Sequence, residues 1–560
     1  MKPSPKAPVP PAAFLGTLEP QIEAALVDLS RSRLIERIWA KDHRVWKPDP
    51  TEIVDRLGWL KVAELMRDRL GTLRTFARSV QDVGIRHVVL LGMGGSSLGP
   101  EVLRRTFEPA KGAPKLWVLD STVPGAVRQV TDAIVPSKTL FILASKSGGT
   151  IEVMSLYAHF WQLVTKAKGN TGGAQFAAIT DHGTSLGALA QERNFRQIFI
   201  NPSDIGGRYS VLSYFGLVPA ALLGMDLDLL LTRATEMAGQ CGSDRRAREN
   251  PGAYLGVTMG MLGQQGRDKV TLIASPKIAS FGLWAEQLLA ESTGKEGRGL
   301  IPVAEEPMLA PQFYGNDRLF VQLRLEGDAN AAVDRHVAAL QRAGHPVLRL
   351  TLRDRYDLGA EFFRWEFATA VASHFLGIHP FDQPNVQESK QNTSRILDEV
   401  RRNGKLPSVD AHTDADSLWQ HAAPGRYCAV LAYVTPSPKA DAALRGLRES
   451  IMTAYRIATT AGYGPRYLHS TGQLHKGGPE SGLYVQIVEA MTPDLKVPGE
   501  VYTFGMLAQA QAIGDLQSLQ SHHRPVTRIR LSKGGFSALR QIIPRPARST
   551  SPRSRAARRR

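Results

Sequence analysis

The sequence has little cysteine, no long apolar run and no acidic residue beyond Asp515. Its two cysteines, Cys241 and Cys428, are too few for a disulfide framework and fit a reducing compartment. No segment approaches the roughly 18 uninterrupted apolar residues of a membrane-spanning helix. The proline-rich N-terminus lacks the apolar core of a signal peptide. We therefore expect a cytoplasmic protein that does not associate with membranes.

Positive charge is concentrated near the C-terminal end. The formal net charge is +17, and twelve lysine and arginine residues follow Asp515. The final residues, RPARSTSPRSRAARRR, have no apolar pattern, which predicts a disordered Arg-rich tail over 536–560. A solvated tail is the favoured interpretation. Nucleic-acid binding is not expected, apart from weak contact by this tail.

Apolar strands alternate with helices along most of the chain, which is typical of parallel sheets covered on both faces. We predict strands over 85–91, 115–120, 139–145, 175–180, 196–200, 269–275, 319–325, 346–352, 428–434, 483–489 and 527–531. Residues 391–425 resemble a polar connector, and 444–462 a single helix. The predicted class is α/β, with a helical cap (1–80), two doubly wound parallel-sheet domains (81–245 and 246–400) and a smaller C-terminal α/β segment (401–535).

Two small-residue loops each follow a predicted strand and precede a predicted helix. The first is GMGGSS, from Gly92, and the second is SKSGGT, from Ser145. Glycines let the backbone approach a ligand, while helix starts and hydroxyls supply hydrogen-bond donors to an anion. The first loop alone is equally compatible with a plain turn, but two such loops at the carboxyl ends of one sheet indicate a site. Neither the Rossmann nor the P-loop pattern is present, so a phosphate monoester is favoured over a dinucleotide.

Five polar residues further along the chain complete a candidate site. They are Arg208, Gln287, Glu291, Lys390 and His469. Each one alone is more often an ordinary surface or structural residue. Together they supply a base, a proton shuttle and two cations for moving a proton next to a carbonyl. No metal-ligand spacing competes with this interpretation, so neither a metal nor another cofactor is expected.

The combined motifs resemble the phosphoglucose isomerase family over most of residues 85–480. The resemblance implies phosphate contacts or catalytic roles for the residues of six motifs: GMGGSSLGP (Gly95, Ser96), SKSGGT (Ser145, Lys146, Ser147, Thr150), GGRYSVLS (Gly207, Arg208), EQLLAESTGK (Gln287, Glu291), PFDQPNVQESK (Lys390) and HSTGQ (His469).

This resemblance implies two sugar-isomerase (SIS) domains and the interconversion of glucose 6-phosphate and fructose 6-phosphate through a cis-enediolate. It also implies a homodimer whose active site is completed across the interface. His469 follows Lys390, whereas the family's histidine motif ordinarily precedes its lysine motif. The order found here is similar to the isomerase half of fused transaldolase–glucose-6-phosphate isomerase proteins. His374 and His379 are the alternatives for the catalytic histidine.

Two other functions stay open from the sequence. A non-catalytic SIS-type regulator would bind a sugar phosphate and lack the acid–base groups, so the presence of Glu291, Lys390 and Arg208 favours an enzyme. An isomerase that also accepts mannose 6-phosphate would differ only in a few contacts around the sugar.

Overall fold

The computed structural model describes residues 12–408 and 415–542. The N-terminal region comprises one short strand and four helices: β1 (Ala12–Phe14), α1 (Glu19–Arg31), α2 (Leu34–Trp39), α3 (Val62–Arg67) and α4 (Leu70–Asp82). The apolar residues of α4 recur at helical spacing and are buried, from Leu70 and Leu73 to Val80. This region packs against the sheets instead of forming a core of its own.

The first sheet is built by strict alternation of strands and helices. Its elements are β2 (His87–Gly92), α5 (Gly95–Thr106), β3 (Lys115–Leu119), α6 (Pro124–Ala133), β4 (Thr139–Ala144), α7 (Ile151–Lys168), β5 (Phe176–Thr180), α8 (Ser185–Glu192) and β6 (Gln197–Ile200). All pairings are parallel, in the order β3-β2-β4-β5-β6. From β2 the chain continues to β3 at one edge of the sheet, and from β4 it continues through β5 to β6 at the other edge. A crevice for ligands therefore opens between the carboxyl ends of these two strands.

A second sheet follows three connecting helices. The elements are α9 (Tyr214–Leu222), α10 (Leu227–Gln240), α11 (Pro251–Gln264), β7 (Lys269–Ala274), α12 (Phe281–Thr293), β8 (Ile301–Val303), β9 (Arg318–Leu325), α13 (Ala331–Arg342), β10 (Val347–Leu352) and α14 (Leu358–Leu376). The strand order is β1-β10-β9-β7-β8, in which only β1 is antiparallel. Here the direction of travel reverses between β7 and β9.

The third sheet has four parallel strands. This part of the chain contains α15 (Pro384–Asn403), α16 (Ala415–Trp419), β11 (Tyr427–Tyr433), α17 (Pro438–Tyr455), β12 (Ala458–Tyr463), α18 (Gly472–Gly477), β13 (Gly482–Glu489), α19 (Phe504–Ser521) and β14 (Val526–Leu531). The order is β12-β11-β13-β14. The predicted α/β class, with parallel sheets in both halves and a smaller C-terminal α/β segment, is confirmed.

Three local predictions were wrong. The connector predicted from 391 is helical up to Asn403, because α15 buries an apolar stripe that includes Ile396 and Leu397. The helix predicted over 444–462 ends at Tyr455, because Arg456 adopts a left-handed conformation and β12 follows. The tail predicted to be disordered from 536 instead packs Phe536, Leu539 and Ile542 into the third core, and residues 543–560 lie outside the described part.

Two large apolar cores extend across the predicted domain boundaries. One joins the N-terminal helices to the first and second sheets, for example through Ile22, Val88 and Val270. The other joins the first sheet to the third through residues such as Val89 and Tyr427. Because the cores cross them, the structure does not test the predicted domain boundaries, which stay predictions. Within residues 12–408 and 415–542, no helix has the length and apolarity needed to cross a membrane.

Candidate active site

The first small-residue loop passes from β2 into α5 through two glycines whose environment excludes a side chain. Gly94 has φ +55°, and a Cβ there would lie 2.5 Å from the carbonyl oxygen of His469. A Cβ on Gly95 would lie 2.0 Å from the carbonyl oxygen of Gly207. Glycine at both positions therefore lets the loop touch the histidine motif and the Gly207–Arg208 turn directly.

The second small-residue loop lies at the carboxyl end of β4, beside the first in the same sheet. Ser145 and Thr150 close it by a 2.8 Å contact between their hydroxyl oxygens, and the Gly148 N–H donates to Ser145 Oγ over 3.2 Å. Lys146 Nζ pairs with the Asp181 carboxylate and donates to the Ser203 carbonyl at 2.9 Å. The ammonium predicted to bind substrate is thus already neutralised by a carboxylate.

Arg208 lies in a 3-10 turn at Gly207–Tyr209 and is only 2% exposed. Its Nε donates to Ser292 Oγ over 2.8 Å, and its Nη1 lies 3.7 Å from Glu291 Oε2. The guanidinium therefore places its charge beside the candidate base.

Arg208 also holds the segment that leads to the lysine motif. Its Nη1 donates to Gln383 Oε1 over 2.7 Å, and its Nη2 donates to the carbonyls of Pro380 at 2.6 Å and Asp382 at 3.0 Å. One buried side chain thus joins parts of the chain more than 170 residues apart.

Gln287 and Glu291 share one face of α12, since they are one helical turn apart. Gln287 Nε2 donates to Glu291 Oε2 and to the carbonyl of His469, both over 2.9 Å. Glu291 is 7% exposed, so it is not a solvated helix end. The amide fixes the carboxylate and connects it to the histidine motif.

His469 faces a buried carboxylate that the sequence did not single out. Its Nε2 lies 2.7 Å from Glu152 Oε1, which also accepts from Gln511 Nε2 over 2.7 Å. Burial acts to raise the pKa of Glu152, but the neighbouring His469 and more distant Lys390 outweigh burial and lower it. Glu152 therefore stays ionised, so it orients the imidazole and can stabilise its charged form. It lies two residues beyond Thr150 and so connects His469 to the second loop.

Lys390 lies within α15 and is exposed. Its charge contributes to the lowered pKa of Glu152. The two alternative histidines have other partners. His374 contacts the carbonyl of Val45 at 2.6 Å, and His379 contacts that of Thr51 at 3.0 Å.

Lys295 is a second buried cation that the sequence reasoning passed over, although it ends the quoted motif EQLLAESTGK. Its Nζ donates to Asp382 Oδ1 over 2.6 Å. Burial and the nearby charge of Arg208 lower the pKa of Lys295 to about 7, although the Asp382 pair opposes this shift. Its position, four residues after Glu291, was the available signal. Within the described residues, no cluster of three His, Cys, Asp or Glu side chains could hold a metal ion.

Glu286 is buried next to Gln287 in sequence but is not part of the contacts above. Burial raises the pKa of Glu286 to about 8, even though the charge of Arg448 opposes the shift. The folded protein therefore retains a proton that the unfolded chain, with an ordinary glutamate pKa, releases. Because the folded state binds more protons between pH 4.5 and 8, stability falls as the pH rises through this range.

Substitution of Glu286 by glutamine, E286Q, is expected to remove this loss of stability. Wild type and variant should be similarly stable near pH 4.5, and the variant should gain up to about 5 kcal/mol relative to wild type by about pH 8.5. Denaturant unfolding at both pH values measures the difference. The surface variant Glu449→Gln serves as the control, and a wild-type-like pH dependence in E286Q would contradict the assignment.

The fold and these contacts first define a class of protein. Two adjacent small-residue loops lie where a parallel sheet reverses its direction of winding, a usual place for a ligand. A buried carboxylate with an adjacent guanidinium is connected to both loops through Gln287, His469 and Glu152. This is the arrangement of an α/β enzyme that acts on a phosphorylated small molecule by proton transfer.

Comparison with known proteins finds similarity to one family. The sequence model of the family described as "Phosphoglucose isomerase" matches residues 40–296. The chain is 27% identical over 449 residues to a glucose-6-phosphate isomerase of Citrifermentans bemidjiense, covering 69% of this chain and 81% of that protein. It is 28% identical over 390 residues to one of Rubrobacter xylanophilus, covering 61% and 89%. The chain is thus similar to phosphoglucose isomerases, both over residues 40–296 and over 81–89% of the length of these two relatives.

Solved structures share the fold. A hypothetical protein from Thermus thermophilus superposes with a TM-score of 0.61 at 24% identity, covering 69% of this chain and 99% of that one. A glucose-6-phosphate isomerase from Chlamydia trachomatis gives 0.59 at 17% identity, covering 68% and 86%.

Proposed function

We propose that the protein reversibly converts glucose 6-phosphate to fructose 6-phosphate. The observation that carries this proposal is the buried Glu291 carboxylate, which accepts a hydrogen bond from Gln287 and lies beside Arg208. Gln287 also contacts His469, which links the carboxylate to the two proposed phosphate loops. The family match and the isomerase relatives support the same reaction.

The phosphate of the substrate would bind to the two loops. Gly95 and Ser96 would offer hydrogen-bond donors at the start of α5. The second set of donors would be the hydroxyls of Ser145, Ser147 and Thr150. Gly207 lies against Gly95, so the first loop positions the turn that carries Arg208. Anchoring by the phosphate would fix the sugar carbons relative to Glu291.

Proton transfer would proceed in two stages. His469, oriented by Glu152, would act with Lys390 on the ring oxygen and the C1 hydroxyl to open the sugar ring. Glu291 would then remove the C2 proton and return it to C1 through a cis-enediolate. Arg208 would offset the negative charge that develops, because its guanidinium is already desolvated and fixed.

Two further parts of the proposal concern the assembly and its location. We propose a homodimer, testable by light scattering. His469 reaches Glu152 within one chain, so this histidine does not need to come from the partner. We also propose a cytoplasmic location, because the low cysteine content fits a reducing compartment.

A coupled assay tests the reaction directly. Purified protein should convert fructose 6-phosphate to glucose 6-phosphate, detected through NADP reduction by glucose-6-phosphate dehydrogenase, with equal rates with and without EDTA. Mannose 6-phosphate, supplied in a parallel assay, reports on the breadth of substrate choice. Saturable binding of fructose 6-phosphate without turnover would instead establish a sugar-phosphate sensor.

A further inference from the structure

A second cavity, of about 550 Å³, lies at the carboxyl ends of β7 and β9 in the second sheet. Ala274 at the end of β7 and Leu323 near the end of β9 both line it. These are the two strands between which this sheet reverses its direction of winding. The corresponding crevice of the first sheet holds the candidate active site, so this is the second sheet's equivalent ligand position.

Arginines from separate elements line this cavity. They are Arg105 of α5, Arg445 and Arg448 of α17, and Arg466 in the turn before His469. Arg448 has a structural role, because it donates to the carbonyls of Ala304 and Thr459 over 3.0 and 2.8 Å. Arg445 is exposed and can reach a ligand from solvent. The Arg105 side chain is 43% exposed, although its Nε donates to Glu101 Oε1 over 2.6 Å.

Acidic residues also line the cavity, and all but Asp441 are paired with an arginine or held largely neutral. Glu306 pairs with Arg318 at 2.8 Å, and Asp441 accepts from the Tyr463 hydroxyl over 2.6 Å. Glu305 lies 3.9 Å from Arg105. Glu286 is 9% exposed and lines both this cavity and a smaller one that reaches Ser470. Its raised pKa of about 8 leaves it mostly protonated at neutral pH, so its carboxyl can donate a hydrogen bond.

We propose that this cavity binds a small organic phosphate ester at a site separate from the substrate loops. Guanidinium groups suit the geometry of phosphate oxygens, and groups converging from three elements suit a multiply charged ligand. The site also adjoins the proposed active site, because α12 carries both Glu286 and Glu291, and Arg466 belongs to the same turn as His469. The inference does not depend on the identity of the isomerised sugar.

Inorganic pyrophosphate is the probe for a binding test by calorimetry. The double variant Ser147→Ala/Thr150→Val is the background, because it removes hydroxyls from the substrate loop and leaves the second cavity unchanged. Pyrophosphate should still bind in this background. Adding Arg445→Gln or Arg105→Gln should raise the dissociation constant at least about tenfold. Adding Arg342→Gln, an exposed arginine at the end of α13, should leave it unchanged.

Glu286 supplies a second, independent measurement. Glu286→Gln retains a hydrogen-bond donor and should bind within about twofold of the background, whereas Glu286→Leu should bind several-fold more weakly. Equal affinity in the Arg445, Arg105 and Arg342 variants would overturn the proposal, as would complete loss of binding in the loop background alone. These binding measurements do not require catalytic turnover. A failure of the isomerase assay would therefore not change what they say about the second cavity.

Discussion

Substitution of Glu291 by glutamine, E291Q, is expected to lower kcat for isomerisation by about 10²–10⁴-fold, the usual contribution of a positioned general base. Glutamine keeps the shape and the contact with Gln287 but cannot accept the C2 proton. Binding of fructose 6-phosphate, measured by thermal stabilisation, should survive, because the phosphate loops are untouched. Proton NMR in D₂O gives a second readout, since E291Q should no longer exchange the C1 and C2 hydrogens.

The matched control for E291Q is Glu449→Gln, a change on the exposed surface of α17. It should retain full activity and exchange. Near-normal turnover in E291Q would show that another group removes the proton. Loss of both turnover and sugar-phosphate binding would show that the carboxylate is needed for the fold of the site.

Substitution of Arg208 by lysine, R208K, is expected to reduce kcat by about 10²–10³-fold, the typical effect of losing one donor to developing charge. Lysine keeps the positive charge but cannot donate at once to Ser292, Gln383 and the two carbonyls of Pro380 and Asp382. Unpaired buried acceptors cost about 1–3 kcal/mol each, so stability should also fall. Steady-state kinetics and denaturant unfolding measure the two effects.

The exposed Arg395 of α15, changed to lysine, is the control for R208K. Its contact with Glu399 is a surface pair, so both rate and stability should remain near wild type. If R208K lost stability while keeping its kcat, Arg208 would be a structural link between the two halves and would have no role in charge stabilisation.

The strands that sequence reasoning found are those with continuous apolar runs, because both faces of a parallel sheet are buried. It missed β1, β8 and β12 for different reasons. The first two span only three residues each, and β12 directly follows a helix whose apolar pattern continues into the strand. Local periodicity could not locate the change from helix to strand, because the left-handed turn at Arg456 carries no glycine to mark it.

In the site, motif reasoning proposed the groups that a ligand would touch but not the groups that hold them. Gln287 and Glu291 were recognisable from the motif EQLLAESTGK. Glu152 was not, because its partner His469 is more than 300 residues away and only folding brings the two together.

By itself, the sequence determined the α/β class, the two small-residue loops and the family resemblance, because apolar runs and glycine-rich turns act over a few residues. The tertiary structure decided which histidine meets Gln287 and Glu152, and that Arg208 is a buried link to residues 380–383. It also decided that a second arginine-lined cavity lies behind α12. These features depend on contacts between distant parts of the chain. Sheet order and core packing determine such contacts, and the local sequence pattern contains no information about them.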